Sequence, residues 1–289
     1  FSYNTGKLRC PVCDGTGSIS LDVQFLPDVE IPCRHLGLSL DEDFCFEEFA
    51  DRVAELVEKY VDIDRLLELT KQVAPAALPM SVSHRTYRRE PSFTVAIARD
   101  PAFNFMYEAN IRYLHHLGEV TYFSPLADTS LPDAGFVYLP GGYPELYLAA
   151  LSANRPMLQS IRRYVENGGK LLAECGGMMY LCDEIRDKNG DVFPMVGVLH
   201  QSATMENMKL RLGYRTLLYN DARLKGHEFH YSRLVEQQDP LPSCAVAYTA
   251  KGVKTDTPLY RYKNVLAGYT HLYWADPAGN DWFTKFIIK

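Results

Sequence analysis

No apolar run in this sequence approaches the roughly 18 residues that would span a bilayer as a helix, so no membrane partner is expected. No secretory leader is visible. The chain begins at Phe1, and we expect either a start lying upstream or a fragment of a longer protein. Cysteine is sparse, with seven residues at irregular spacings among 289. A chain of that size needs no stapling, which points to a reducing cytoplasm rather than a disulfide framework. An excess of positive charge is also missing: 30 Lys and Arg against 36 Asp and Glu leave a net charge of −6. That balance argues against a general phosphate-binding surface and against nucleic acid as a partner. Internal repeats are absent. So is any G-x-x-x-x-G-K-[ST] phosphate loop. TGKLRC (5–10) has no upstream glycine and no Ser or Thr after Lys7, and CDGTGS (13–18) has no lysine.

What is present is 47% hydrophobic residues, enough for a sizeable core. Residues 1–33 are rich in Gly, Pro and Cys. Over 41–73 the apolar residues Phe46, Phe49, Val53, Leu56, Val57 and Tyr60 recur at helical spacing, and Asp64 is placed to cap a second short helix. Prolines and basic residues make 74–91 a linker. From Ser92 the pattern changes. Strands are expected at 93–98, 120–124, 136–142 and 170–174, with helices at 108–118, 145–152 and 155–167. Strands alternating with helices imply an α/β fold, a mostly parallel sheet flanked by helices. After Met195 the segments become strand-rich, which implies an antiparallel extension. Ligands of such sheets bind at the carboxyl ends of the strands. Two glycine turns sit at such ends, Gly141-Gly142 and Gly176-Gly177.

The chemistry concentrates in AECGGMMYL (173–181). A buried strand ends at Glu174, Cys175 follows, then two glycines and a helix. A residue on so sharp a turn stands above the sheet, as in a nucleophile elbow. Glycines follow because a side chain there would strike neighbouring backbone. The new helix directs its amide dipoles at Cys175 and should favour the thiolate. The alternative is a buried, inert cysteine. A thiolate nucleophile needs a base. Of eight histidines, His115 and His116 lie on an amphipathic helix, and His35, His84 and His200 lie outside the glycine turns. Spacing does not choose among His227, His230 and His271.

The stretches VAIARDPAFNFMYEANIRYL, YFSPLADTSLPD, YLPGGYPELY, LSAN, AECGGMMYL, FPMVGVL, LGYR, GHEFHYS and AGYTHLYWAD follow one another through 92–289. In that order they closely resemble the class I glutamine amidotransferase domain of cobyrinic acid a,c-diamide synthases. The resemblance implies that Cys175 is the nucleophile and that His271 activates it. It places Gly142, in the PGG turn, and the amide of Gly176 in the oxyanion hole. His227, Glu228 and His230 match a signature near the acceptor and domain interface; the competing reading is a strand pair with satisfied polar groups. Other amidotransferase branches carry a glutamate two residues after the histidine, and many synthases of this family a second histidine. Here Tyr273 stands there, which leaves the orientation of His271 unexplained.

The resemblance further implies glutamine as substrate and a corrin or related tetrapyrrole acid as ammonia acceptor. In the family, ATP and Mg belong to a synthetase domain that opens with a phosphate loop. We therefore expect no cofactor in this chain, most of that domain to be absent, and its function to be supplied in trans. RHLGL (34–38) and the helices after it resemble the end of that domain and its connector. Residues 1–33 instead resemble a zinc-binding stretch of the DNA-repair excinucleases, with its FLPD hairpin between two C-x-x-C pairs. Cys10 and Cys13 form one pair and Cys33 opens the other, but Leu36 stands where its partner belongs. A structural zinc needs four ligands, so Cys10, Cys13 and Cys33 are not expected to hold one. His35 is a fourth candidate, too close to Cys33 to share a tetrahedron comfortably. The expected organisation is thus 1–33, an excinuclease-like fragment; 34–91, a synthetase remnant and helical linker; and 92–289, the amidotransferase domain. Competing readings are an inactive amidotransferase-fold module and a DNA-repair zinc-binding fusion.

Overall fold

The computed structural model describes residues 18–21, 29–32, 46–71, 93–235, 241–275 and 277–288. The chain divides into two compact units, Phe1–Thr86 and Tyr87–Lys289. In the first, β1 (Ser18–Leu21) pairs antiparallel with β2 (Val29–Pro32). Two helices follow, α1 (Phe46–Tyr60) and α2 (Ile63–Lys71). The cap of α2 differs from expectation. Asp62, not Asp64, accepts the Arg65 N–H through its side chain at 3.0 Å, while Asp64 lies inside the first turn. A carboxylate just outside the helix meets an otherwise unpaired amide, and one already inside cannot. Cys10, Cys13, Cys33, His35 and the 74–91 linker lie outside the described residues.

The second unit opens with β3 (Thr94–Ala98), α3 (Glu108–Leu117), β4 (Glu119–Phe123) and β5 (Phe136–Leu139). After a short 3-10 turn, Pro144–Leu146, come α4 (Leu148–Ala153), α5 (Arg155–Glu166), β6 (Lys170–Glu174) and α6 (Gly176–Leu181). Asn154 caps α5 by accepting the Met157 N–H. The alternation of the strands sorts the core into two layers. Ala96, Ala98, Val137, Leu139, Leu171 and Ala173 pack on one face. Val95, Ile97, Phe136, Tyr138 and Leu172 pack on the other. Runs buried on both faces are what a parallel sheet requires.

The rest of the unit is mainly strand: β7 (Glu184–Arg186), β8 (Val192–Pro194), β9 (Ser202–Thr204), β10 (Arg211–Tyr219), β11 (Ala222–His230) and β12 (Arg233–Leu234). Then follow β13 (Val246–Thr249), β14 (Lys254–Thr255), β15 (Leu259–Tyr262), β16 (Val265–Gly268), β17 (His271–Tyr273) and the helix α7 (Pro277–Ile288). The main sheet has six strands in the order β15-β16-β6-β5-β3-β4, parallel except for β15. A four-stranded sheet β12-β9-β7-β8 and a five-stranded sheet β14-β13-β10-β11-β17 complete the unit. Two features were not visible in the local pattern. The second sheet begins at Glu184, ahead of residue 195, and β16 returns to the main sheet parallel to β6, pairing Gly268 with Glu174. Among the described residues no helix is long and apolar enough to cross a membrane.

Candidate active site

The parallel strands bring three turns to one edge. β5 runs into Pro140-Gly141-Gly142, β6 into Cys175, and β16 into the segment that reaches His271. The elbow is strained: Cys175 sits at φ 48° and ψ −107°, a conformation that costs a non-glycine residue about 1–3 kcal/mol. Its N–H donates to the Gly268 carbonyl at 2.8 Å, and its carbonyl accepts the Met179 N–H at 3.0 Å. The two glycines after it are sterically required. A Cβ on Gly177 would stand 2.2 Å from the Leu139 carbonyl oxygen, and one on Gly176 2.7 Å from Pro144 Cδ and 3.2 Å from the Gly142 nitrogen. The Gly142 and Gly176 backbones therefore lie against each other beside the elbow. The bonds that fix the PGG turn run through its flanks, Phe105 N–H to the Gly141 carbonyl at 3.0 Å and Tyr143 N–H to the Ala102 carbonyl at 2.9 Å.

His271 closes on the same turn. A Cβ on Gly141 would stand 2.2 Å from His271 Cε1 and 2.9 Å from Nδ1, so the imidazole rests directly on the Gly141 backbone. Gly141 lacks a positive φ, and alanine could adopt its backbone. Gly141→Ala should therefore keep the fold yet displace the imidazole, and a displacement near 1 Å costs about a hundredfold in rate. Steady-state glutaminase kinetics beside a thermal melt checks this; an unchanged kcat in a folded variant would contradict it.

The strand that carries His271 is held from below by Glu174. This buried carboxylate accepts the Tyr138 hydroxyl at 2.7 Å and the Leu272 N–H at 3.0 Å. Asn110 donates to the Leu272 carbonyl at 2.8 Å and accepts the Trp274 N–H at 3.1 Å. Burial pushes the Glu174 carboxyl up to about 8 against these bonds, and Glu145 up to about 7. Neither glutamate nor Asn110 stood out in the sequence beyond its place in a motif.

Of the three histidines left open by spacing, His227 and His271 are direct partners across β11 and β17. Their rings stack at 5.0 Å and 22°. His230 is tied elsewhere: its Nδ1–H donates to the Ser232 carbonyl at 2.9 Å, and its ring stacks on Tyr269 at 3.7 Å. Glu228 forms a buried ion pair with Arg215 at 2.7 Å. Its carboxyl is still raised, because burial outweighs Thr257 and Arg215.

The electrostatics oppose one expectation. The setting of Cys175 works against a thiolate. Burial first, then the charge of Glu145, pushes its thiol well above the usual range, although the Gly176 amide works the other way. A helix of only six residues supplies too weak a terminal field to offset burial at 6% exposure. Burial, with His227 and His230 nearby, pushes the His271 imidazole down to about 3. Burial thus disfavours the charged form of both groups. Among the described residues no group of three or more His, Cys, Asp and Glu could hold a metal ion.

Comparison with known proteins gives a consistent picture. The family of CobB/CobQ-like glutamine amidotransferase domains matches residues 94–279. The cobyrinate a,c-diamide synthase of Dehalococcoides mccartyi strain CBDB1 is 38% identical over 266 residues, covering 85% of this chain and 56% of that protein. The hydrogenobyrinate a,c-diamide synthase of Stutzerimonas stutzeri strain A1501 is 38% identical over 253 residues, covering 85% and 55%. The cobyrinate a,c-diamide synthase of Clostridium acetobutylicum is 34% identical over 279 residues, covering 92% and 60%. The chain spans little more than half the length of these relatives.

Proposed function

Since the chain belongs to the family of CobB/CobQ-like glutamine amidotransferase domains, we propose that it is the ammonia-producing part of a cobyrinate-type a,c-diamide synthase. The observation that carries this reading is that the strained elbow of Cys175, through Gly176, and the imidazole of His271, through Gly141, both abut the PGG turn. Cys175 Sγ attacks the side-chain amide carbon of glutamine while His271 takes the thiol proton. The Gly142 and Gly176 amides receive the oxyanion. His271 returns the proton to the departing nitrogen, and ammonia leaves. Water, deprotonated by His271, cleaves the thioester and releases glutamate. Burial that disfavours both charges suits this sequence: charge separates only when glutamine has displaced water and the oxyanion donors are engaged.

The acceptor reading rests on the relatives' names. Ammonia passes to a corrin acid whose a and c acetates ATP has activated as acyl phosphates. ATP and Mg are used by the synthetase domain of such proteins, which acts together with 92–289. His230 and the Glu228–Arg215 pair serve to couple the two sites. Residues 1–33 are an excinuclease-like remnant without a working zinc site, supported by Leu36 in place of a fourth cysteine. Cysteine usage supports a reducing cytoplasm. Glutamate release by the full chain, measured alone and with a synthetase domain, ATP, Mg and a corrin acid, tests the function. Basal release that rises on addition, with diamide formed, is expected. No glutamate under either condition would reject it.

A further inference from the structure

Within the amidotransferase reading, on which this step rests, one question is open: what orients His271. No acceptor does so through its Nδ1, which is buried without a hydrogen-bond partner among the described residues. We propose that His227 is the positioning residue for His271, acting by ring stacking where other branches use a carboxylate. The two residues face each other in register across β11 and β17. Their rings lie 5.0 Å apart and within 22° of parallel. Phe105 makes a T-shaped contact with each ring, centroids 4.6 Å from His271 and 5.5 Å from His227. The Gly141 backbone lies so near that an added Cβ would stand 2.2 Å from His271 Cε1, and the ring of His271 is thus bounded on three sides.

The orientation of His227 is itself fixed. Its Nδ1 and the Tyr107 hydroxyl share a hydrogen bond of 2.5 Å. Burial pushes the phenol up to about 12 and holds the imidazole down. This hydrogen bond holds the plane of the His227 ring. His227 adds to the burial that disfavours the His271 imidazolium, so its contribution is to the ring's orientation and not to its charge. The same arrangement gives Tyr273 a purpose. It packs edge-on against Tyr107 at 5.5 Å, two residues from His271 but supporting it through Tyr107 and His227 in turn. A stack restrains tilt without supplying negative charge, which fits a base whose resting form is neutral.

The test is kcat and KM for glutamine hydrolysis by the full chain carrying His227→Ala, His227→Phe or Tyr107→Phe. His227→Ala should lower kcat by about 10- to 100-fold, the cost of a misplaced reacting group, and change KM by no more than about twofold, since ground-state binding is untouched. His227→Phe keeps a ring on His271 and should recover most of that loss. Tyr107→Phe frees the His227 ring and should lower kcat several-fold, about 3- to 10-fold, at constant KM. Wild-type kcat in His227→Ala, a loss confined to KM, or His227→Phe as impaired as His227→Ala would each overturn the proposal. Should His227→Ala fail to fold, Tyr107→Phe decides, and a wild-type kcat there overturns it. Cys175→Ala run in parallel separates the two levels. Full hydrolysis in that variant removes the underlying reading, whereas its inactivity beside wild-type kcat in the His227 variants removes only this one.

Discussion

Cys175→Ala is expected to eliminate glutamine hydrolysis, with a loss on the order of ten-thousandfold or more, as removal of a covalent nucleophile does. Cys182→Ala is the matched control. Its sulfur is also fully buried, but it lies at the far end of α6 and meets the Met178 carbonyl at 3.5 Å. Its truncation should cost about 1 kcal/mol of stability and leave turnover unchanged. Both thiols are raised by burial, so acidity does not distinguish them. Geometry does. Cys175 alone occupies the strained elbow between the Gly176 amide and the PGG turn. Glutamate release at saturating glutamine, measured for both variants, separates them; equal loss in both, or none in Cys175→Ala, would remove the assignment.

The second large effect is expected at His271. His271→Ala should lower the glutaminase rate by about a hundredfold or more, the usual loss for a general base. A pH profile adds a sign. An unperturbed imidazole begins to protonate, and to fail as a base, below about pH 6.5. The His271 imidazole is pushed down to about 3 and remains unprotonated well below that point. Wild-type kcat/KM should therefore not fall through the usual histidine range as pH drops from about 7 to about 5. In His271→Ala the residual rate should climb as pH rises, because only solvent then removes the proton from a raised thiol. His230→Ala should be milder, since His230 is engaged with Ser232 and Tyr269. Comparable loss in His230→Ala with a mild His271→Ala would exchange their roles.

The elbow was legible because its determinants are local. A buried run ending at Glu174, one cysteine and two glycines specify a sharp turn, and the Cβ that on Gly177 would stand 2.2 Å from the Leu139 carbonyl oxygen shows why glycine is needed. The placement of His271 was not local. β16, which leads towards His271, pairs with β6, a strand far earlier in the chain, so that the Gly268 carbonyl accepts the Cys175 N–H. No periodicity within either strand encodes that pairing. The PGG turn was found, yet the sequence singled out Gly142, while Gly141 bears the imidazole. Asp62 rather than Asp64 caps α2, the small displacement usual at helix ends. The Gly176 amide favours the Cys175 thiolate as expected, but burial, a property of the assembled core, opposes it. A helix start visible in sequence announces its dipole but not the depth at which the thiol will lie.

The most direct measurement is mapping of a covalent adduct. The full chain, treated with a glutamine-analogue electrophile and digested, should carry one adduct per chain, on the peptide containing Cys175. Glutamine should protect it, and Cys175→Ala should not label. Stoichiometric labelling that persists in Cys175→Ala, or that maps to Cys182 or Cys244, would contradict the assignment of Cys175 as the nucleophile.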